Sequence, residues 1–249
     1  MVDAAGGRDE TPEVHAAYAR QSHRWKHGRY RSWEPGNLFI EYERERVALR
    51  LLEHCGMLPL ADREILDVGC GSGRALLRLL ARGARVAGLH GVDVQRELIE
   101  EARGAAPSLD FRVGDATELP FADDSFDIVL ASTMLSSMRS DASRAQAARE
   151  MLRVVRPSGC IVVYEFSVNP RNAEVRPLRP RDLRRLFPGL RLDSRRVSLA
   201  PPIARAIARR SWLACTLLGA VPLLRTHTLT VVGPPPGVPS PTAEDASRG

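Results

Sequence analysis

A glycine-rich segment that follows an apolar run is the part of this sequence best suited to hold a ligand. The run ILDVGCGSGR places Asp67 near the end of a predicted strand and leads through Gly69, Gly71 and Gly73 into a predicted helix. Glycines allow a tight turn and let a ligand lie against bare backbone. A dinucleotide fingerprint requires its third glycine at position 74, where this chain has arginine. The segment therefore predicts either another nucleoside-containing ligand or a glycine-rich turn without one.

Two acidic residues favour the ligand. Asp93 ends the predicted strand GVDV, where a carboxylate can accept hydrogen bonds from both hydroxyls of a ribose. Asp115 follows the next strand in VGDATELPF, where it can accept a hydrogen bond from the exocyclic amine of an adenine held between apolar neighbours. Asp93 alone has a simpler explanation as a helix cap. The two acids and the glycine loop together predict a site for an adenosine-containing cofactor.

Short β-branched runs alternate with helical patterns from residue 64 onward, which is typical of an α/β fold with a parallel sheet. We predict strands at residues 64–68, 89–94, 109–113, 126–131 and 160–166, and helices near 74–81, 96–104 and 142–155. A helix at 181–187, a strand at 190–199, a long apolar helix at 202–218 and a last strand at 226–232 follow. Before the sheet, we expect one helix that ends near Trp25 and another that is capped by Asn37.

Five consecutive motifs resemble those of the class I methyltransferases that depend on S-adenosylmethionine (SAM): LDVGCGSG, GVDV, GDATELPF, DSFDIVLAS and LRVVRPSGCIVVYEF. The resemblance implies a Rossmann-like sheet of seven strands, the last antiparallel, with helices on both faces and an N-terminal helical lid. It also implies SAM as cofactor, with Asp67 and Gly69 near methionine, Asp93 at the ribose, and Asp115 with Ala116 at the adenine. The full expected cofactor set is Asp67, Gly69, Cys70, Gly71, Gly73, Asp93, Val94, Asp115, Ala116 and Ser132.

Three regions follow from this interpretation. Residues 1–59 are expected to form a helical cap over the acceptor. Residues 60–233 are expected to form the SAM-binding domain with an acceptor-side insertion at 167–225. Residues 234–249 are rich in Pro, Gly and Ser and are expected to be a disordered tail. The C-terminal patterns also resemble bacterial methyltransferases of small-molecule or saccharide pathways. An aromatic and basic cluster is a candidate acceptor wall or ordinary packing: Tyr18, Arg20, His23, Trp25, His27, Tyr30 and Trp33.

Glu165 is the candidate general base because it ends the fifth predicted strand at the mouth of the sheet. A buried partner for a nearby arginine is the alternative role for this side chain. His23, His27 and His227 are weaker candidates. The sequence has no clustered metal ligands, so we expect metal-independent methylation of a small molecule, most readily at oxygen, with nitrogen as the alternative.

The net charge of +6 would allow a nucleic-acid partner. However, Lys26 is the only lysine, so arginine supplies nearly all of the positive charge, and we find no nucleic-acid methyltransferase motif. A nucleic-acid partner is therefore not expected. Twelve arginines against three acids between Arg171 and Arg210 suit an anionic substrate or surface, or a solvated helix face. The start shows no secretory pattern and the apolar stretch near Trp212 is too short for a membrane span, so we expect a cytoplasmic protein. A non-catalytic SAM-binding protein or a membrane-associated scaffold remains the third possibility.

Overall fold

A single mixed sheet organises the chain. The structure, a computed structural model, describes residues 33–138, 140–168 and 176–233. Its seven strands are β1 (Ile65–Val68), β2 (Leu89–Asp93), β3 (Asp110–Val113), β4 (Phe126–Ser132), β5 (Val155–Phe166), β6 (Arg191–Leu199) and β7 (Arg225–Gly233). They lie in the order β3-β2-β1-β4-β5-β7-β6. Strands β1 to β5 pair in parallel, whereas β7 is antiparallel to both β5 and β6. The predicted Rossmann-like sheet with an antiparallel last strand is confirmed.

The strand order places a ligand cleft at the carboxyl end of β1. This strand pairs with β2 on one side and β4 on the other, so the chain leaves neighbouring strands in opposite directions. Open α/β sheets bind ligands where the order reverses in this way. All four residues of β1 are buried, which explains why its sequence is almost continuously apolar.

Helices cover both faces, as predicted. They are α1 (Pro35–His54), α2 (Arg74–Leu80), α3 (Arg96–Ala105), α4 (Asp141–Val154), α5 (Pro180–Leu186), α6 (Pro201–Ile207) and α7 (Trp212–Gly219). One buried cluster joins Leu52, Leu76 and Ile99 of α1 to α3 to one face of the sheet. The other joins Met151 of α4 and Leu183 of α5 to the opposite face.

Two predicted helices have different bounds in the structure. Helix α1 begins at Pro35, and Glu34 rather than Asn37 caps it, since the Glu34 carboxylate accepts a hydrogen bond from Asn37 N at 3.1 Å. Proline suits the first helical position because it has no N–H to satisfy. The prediction of a single helix at 202–218 is wrong, because α6 ends at Ile207 and Ser211 caps a separate helix, α7.

Part of the domain prediction lies outside the described residues. This applies to the expected helix that ends near Trp25, to the tail at 234–249, and to Tyr18, Arg20, His23, Trp25, His27 and Tyr30 of the aromatic cluster. Within the described chain, α1 lies in the range 1–59 that is expected to form the cap, and the cap itself stays a prediction. The expected insertion supplies helices α5 to α7 and also the edge strand β6.

Candidate active site

A cavity of about 410 Å³ lies at the carboxyl ends of β1, β2, β4 and β5, beneath α1. The glycine loop after β1 lines one end, and aromatic side chains of β5 and β7 line the other. Nine of the ten expected cofactor residues line it: Asp67, Gly69, Cys70, Gly71, Asp93, Val94, Asp115, Ala116 and Ser132. The cavity therefore joins the expected cofactor site to a second compartment in one space.

The glycine loop has three residues with left-handed backbone, Gly69, Gly71 and Gly73, and the first two line the cavity. Gly69 has φ +74° and Gly71 has φ +54°. Backbone N–H groups of Gly69 and Cys70 both donate to Val92 O, at 2.8 and 3.0 Å, which fastens the loop to β2. A Cβ atom on Gly71 would have only one neighbour within 4 Å, a Leu98 methyl carbon at 3.9 Å. Gly71 therefore leaves open space in the cavity where any other residue would place a side chain.

Gly73 has a different role from the one expected of it. A Cβ atom at this position would lie 2.5 Å from Cζ of Phe111. The close approach allows α2 to pack on the sheet, and Gly73 is not one of the cavity residues. The packing between helix and sheet and the left-handed backbone, with φ +76°, together explain the glycine at this position.

Asp93 connects the loop to the end of β2. Its Oδ2 accepts from Gly71 N and its Oδ1 accepts from Gln95 N, both at 2.9 Å. Burial raises the pKa of this carboxyl, although the backbone donors oppose the shift. Each carboxylate oxygen can accept more than one hydrogen bond. Asp93 can therefore hold the loop and still accept hydrogen bonds from ligand hydroxyls.

Asp67 is a buried carboxylate that suits a cationic ligand group. It is 2% exposed, and its Oδ1 has no hydrogen-bond partner among the described residues. Burial raises its pKa to about 7, while the charges of Arg44 and Arg78 oppose the shift. An unpartnered carboxyl at a cavity wall is costly unless a ligand donates to it. The methionine ammonium group of SAM is such a donor, so this residue fits the expected cofactor.

Asp115 is held by its own turn at the other side of the cavity. Its Oδ1 accepts from the N–H and the hydroxyl of Thr117, at 2.7 and 2.8 Å. Its Oδ2 makes no hydrogen bond with the described residues. This oxygen and the neighbouring Ala116 are suited to meet an adenine edge, as the resemblance implies.

Glu165 does not lie among the cavity residues. Side chains alternate along a strand, and its neighbours Tyr164 and Phe166 are the ones that line the cavity. Glu165 is 1% exposed; its Oε1 accepts from Ser136 N at 3.2 Å, and Oε2 is buried without a partner in the described chain. Burial raises its pKa to about 7, and Arg144 is among the groups that oppose the shift. Glu165 therefore lies behind the cavity wall, away from the place expected of a general base, and the Arg144 charge acts on it as in the alternative of a buried partner for an arginine.

Glu165 and Arg144 instead support the segment that follows β4. Arg144 is buried, and its Nε donates to Leu135 O at 2.8 Å. Thr133, at the start of this segment, has φ +56° and donates its N–H to Tyr164 O at 2.7 Å. A β-branched residue at positive φ is strained and needs support from its surroundings. The two buried charged groups hold the segment that presents Thr133 and Ser137 to the cavity.

Replacing Glu165 by glutamine is expected to stabilise the protein at alkaline pH. The pKa of Glu165 in the folded protein, about 7, lies above its ordinary value of 4.5. The contribution of this group to the free energy of unfolding is therefore fully present below pH 4.5 and is lost as the pH rises through 7. Glutamine carries no charge at any pH, so at pH 8 the variant should be more stable by roughly 3 kcal/mol. Denaturant unfolding at pH 5 and pH 8 measures the difference, and turnover should survive. A hundredfold loss of turnover with unchanged stability would restore Glu165 as the base.

The second compartment contains stacked aromatic rings beside a cation. His227 stacks on Tyr164 with ring centroids 4.8 Å apart and an interplanar angle of 3°, and its centroid is 4.1 Å from that of Phe166. The Arg44 guanidinium carbon lies 4.8 Å from the centroid of the Tyr164 ring. Tyr164 is also fixed through its hydroxyl, which is 2.7 Å from Ser198 Oγ. The walls of this compartment are therefore rigid before any acceptor binds.

His227 is the ionisable group best placed in this compartment. Its Nδ1 lies 3.0 Å from the Thr226 hydroxyl, and its Nε2 has no partner among the described residues. Burial, together with the charge of Arg44, lowers its pKa to about 3. The ring is therefore neutral at ordinary pH and can accept a proton. Sequence analysis ranked it below Glu165, and did not identify Arg44, Tyr164 or Phe166.

The described residues contain no group of three or more His, Cys, Asp or Glu side chains placed to hold a metal ion. None of the helices in the described part of the chain is long and apolar enough to cross a membrane.

Residues 65–159 match the family model of a methyltransferase domain. The match covers 95 of the 249 residues, from β1 into β5, and includes the glycine loop, Asp93 and Asp115. A ubiquinone/menaquinone biosynthesis C-methyltransferase of Geotalea daltonii is 35% identical over 109 residues, which are 41% of this chain and 45% of that protein. A 27-O-demethylrifamycin SV methyltransferase of Amycolatopsis mediterranei is 32% identical over 145 residues, which are 55% of this chain and 50% of that protein. The chain thus matches about half the length of these relatives.

Solved structures share the fold of the methyltransferase domain. A SAM-dependent methyltransferase from Methanosarcina mazei matches with a TM-score of 0.54 and 21% identity, over 70% of this chain and 93% of that one. A cyclase matches with a TM-score of 0.53 and 24% identity, over 77% of this chain and 83% of that one. At these identities the likeness extends to the fold alone. The residues of this chain's own cavity are therefore the basis for its reaction.

Proposed function

We propose that this protein methylates a hydroxyl group of a small molecule, of the natural-product or saccharide type, and uses SAM as the methyl donor. The observation that carries the proposal is the continuity of the cavity, which joins the glycine loop and Asp93 to a compartment with His227 and Arg44. By their names both relatives act on small molecules, but one is a C-methyltransferase and only the name of the other indicates an oxygen. The matches cover about half of each relative and do not identify the acceptor.

The residues of the first compartment fit SAM. The glycine loop offers bare backbone, Asp67 suits the methionine ammonium, Asp93 the ribose hydroxyls, and Asp115 with Ala116 the adenine. Val94, Cys70 and Ser132 complete this wall. When bound, SAM supplies an electrophilic methyl group on a positively charged sulfur. The chain's own task is then to hold the acceptor oxygen in line and to remove its proton.

We propose that His227 and Arg44 together remove the proton of the acceptor hydroxyl. The neutral imidazole accepts the proton from the acceptor hydroxyl, and the Arg44 guanidinium stabilises the negative charge that develops on the oxygen. A pKa of about 3 makes His227 a weak base in the free protein, and part of that lowering is due to Arg44. A negative acceptor oxygen beside Arg44 offsets this charge and raises the pKa of His227. Proton acceptance is therefore coupled to the presence of the acceptor.

Methylation of nitrogen is the second candidate, and the positive charge of Arg44 in the second compartment argues against it. A neutral amine needs no base, but an amine acceptor is largely protonated at neutral pH and would meet the positive charge of Arg44. We propose that α1, the described part of the cap at residues 1–59, and α6 of the segment 167–225 enclose the acceptor. Asn37 and Arg44 of α1 and Arg205 of α6 line the cavity.

Release of S-adenosylhomocysteine in the presence of a library of small hydroxyl compounds and amines tests the proposal. The full-length protein should turn over with at least one phenol, sugar or other alcohol, and mass spectrometry should place the new methyl group on oxygen. Methylation of amines alone would refute the choice of oxygen. Tight binding of S-adenosylhomocysteine without turnover on any compound would favour a non-catalytic SAM-binding protein.

A further inference from the structure

A set of large apolar side chains lies exposed on α7 and the short turn after it. We call this set the apolar patch; its members and exposed fractions are Trp212 43%, Leu213 69%, Leu217 64%, Val221 42% and Leu223 87%. Leu213 and Leu217 are four residues apart and therefore share one face of the helix. Isolated exposed leucines are ordinary, but a contiguous apolar group on one element marks an interaction surface.

The helix is fixed in place from its other side. Cys215 and Gly219 are buried, and Trp212 contacts Phe39 of α1 edge to face with centroids 5.6 Å apart. These contacts use one side of α7 for the fold. The leucines are therefore exposed on a helix that is itself packed against the domain.

Arginines lie at both ends of the patch, although Arg225 at the far end is also 4.0 Å from the Glu43 carboxylate. From Ser194 to Gly233 the sequence has six arginines and no aspartate or glutamate. Arg210 is exposed just before α7 begins. At the far end, Arg196 donates to Pro222 O at 3.4 Å, and Arg225 donates to Gly219 O at the end of the helix. An apolar centre with arginines at both ends is complementary to a surface that has a negatively charged outer layer over an apolar interior.

We propose that the apolar patch docks the protein on a lipid bilayer that carries anionic headgroups. Short apolar elements flanked by arginine lie in the interfacial plane, where leucine and tryptophan enter the acyl boundary and the guanidinium groups meet phosphates. This docking is peripheral, since α7 has eight residues and does not span. Pro201 and Arg205 of the neighbouring α6 line the cavity, so a docked protein holds one wall of its acceptor compartment near the lipid. The proposal concerns binding only and does not depend on the methyl-transfer reaction.

Vesicle cosedimentation of the full-length protein tests the docking. We expect binding to vesicles of mixed phosphatidylglycerol and phosphatidylcholine, and at least tenfold weaker binding to phosphatidylcholine alone. Leu217→Ser combined with Leu223→Ser should weaken binding to the mixed vesicles at least tenfold. Arg210→Gln should weaken it less and reduce its dependence on salt. Val86→Ser is the matched control, because Val86 is 38% exposed at a site remote in sequence from the patch and should leave binding unchanged.

Three results would overturn the proposal. The first is the absence of wild-type binding to the mixed vesicles, as expected if residues of this chain outside the described ranges cover the patch. The second is equal binding by the double variant in a folded state, verified by circular dichroism and by affinity for S-adenosylhomocysteine. The third is a wild-type dimer that the double variant converts to monomer in sedimentation velocity, which would make a second copy the partner. The single variant Leu223→Ser, at the most exposed position, supplies the same comparison if the double variant does not fold.

Discussion

Gly71→Val is expected to abolish measurable binding of S-adenosylhomocysteine, with at least a hundredfold rise in Kd by isothermal titration calorimetry. Two physical effects combine at this residue. Its φ of +54° is unfavourable for a β-branched side chain, and its Cβ direction leads into the cavity rather than into packed protein. The valine methyl groups would occupy space that the ligand needs against the backbone. The same change disturbs the hydrogen bond from Gly71 N to Asp93, which links both ends of the expected cofactor site.

Gly189→Val separates backbone strain from lost ligand space. Gly189 has φ +77°, no heavy atom within 4 Å of an added Cβ, and no place in the cavity wall. This variant should lose a similar amount of thermal stability and keep its affinity for S-adenosylhomocysteine. If Gly71→Val also keeps its affinity, the cofactor does not lie on the glycine loop. If both variants lose it, the loss comes from destabilised protein and not from the site.

The cofactor half of the site was predictable because its determinants are local in sequence. Asp67, Gly71 and Asp93 each stand at the end of a strand, and parallel strands bring such ends to one edge of the sheet. Gly73 shows the limit of this reasoning. The spacing identified it as a glycine near the ligand, but the residue is explained by its left-handed backbone and by the close ring of Phe111, which comes from another strand. Sequence spacing does not distinguish closeness to a ligand from closeness to a side chain.

The acceptor half was less predictable because distant segments form it. Arg44 comes from α1, Tyr164 from β5 and His227 from β7, and only the tertiary fold brings them together. Glu165 was predicted on a strand that does reach the cavity, but Tyr164 and Phe166 are the residues of β5 that line it. Side chains alternate between the two faces of a strand, so Glu165 and its neighbours Tyr164 and Phe166 cannot all face the cavity. No local pattern on α1 distinguishes Arg44 from the other arginines of that helix.

His227→Phe is expected to lower turnover about a hundredfold and to leave the affinity for S-adenosylhomocysteine within a factor of two, measured with an acceptor found by the release assay. Phenylalanine keeps a flat ring against Tyr164 and Phe166 but removes the nitrogen that accepts the proton. The expected loss lies at the low end for general-base catalysis because the pKa of His227, about 3, makes it a weak base. Because this pKa belongs to the free protein, protonation of His227 should not reduce wild-type kcat/KM between pH 8 and pH 5.

Thr226→Val provides the matched control for this substitution. It removes the hydroxyl that lies 3.0 Å from His227 Nδ1 but leaves the imidazole in its stack, so turnover should fall by less than tenfold. Undiminished turnover in His227→Phe would show that the acceptor loses its proton to solvent or to another group. A parallel loss of affinity for S-adenosylhomocysteine would instead assign His227 to the packing of the cofactor compartment. Only the combination of slow turnover, intact ligand affinity and a mild Thr226→Val effect supports proton acceptance by this ring, because a purely structural role would affect affinity or stability as well.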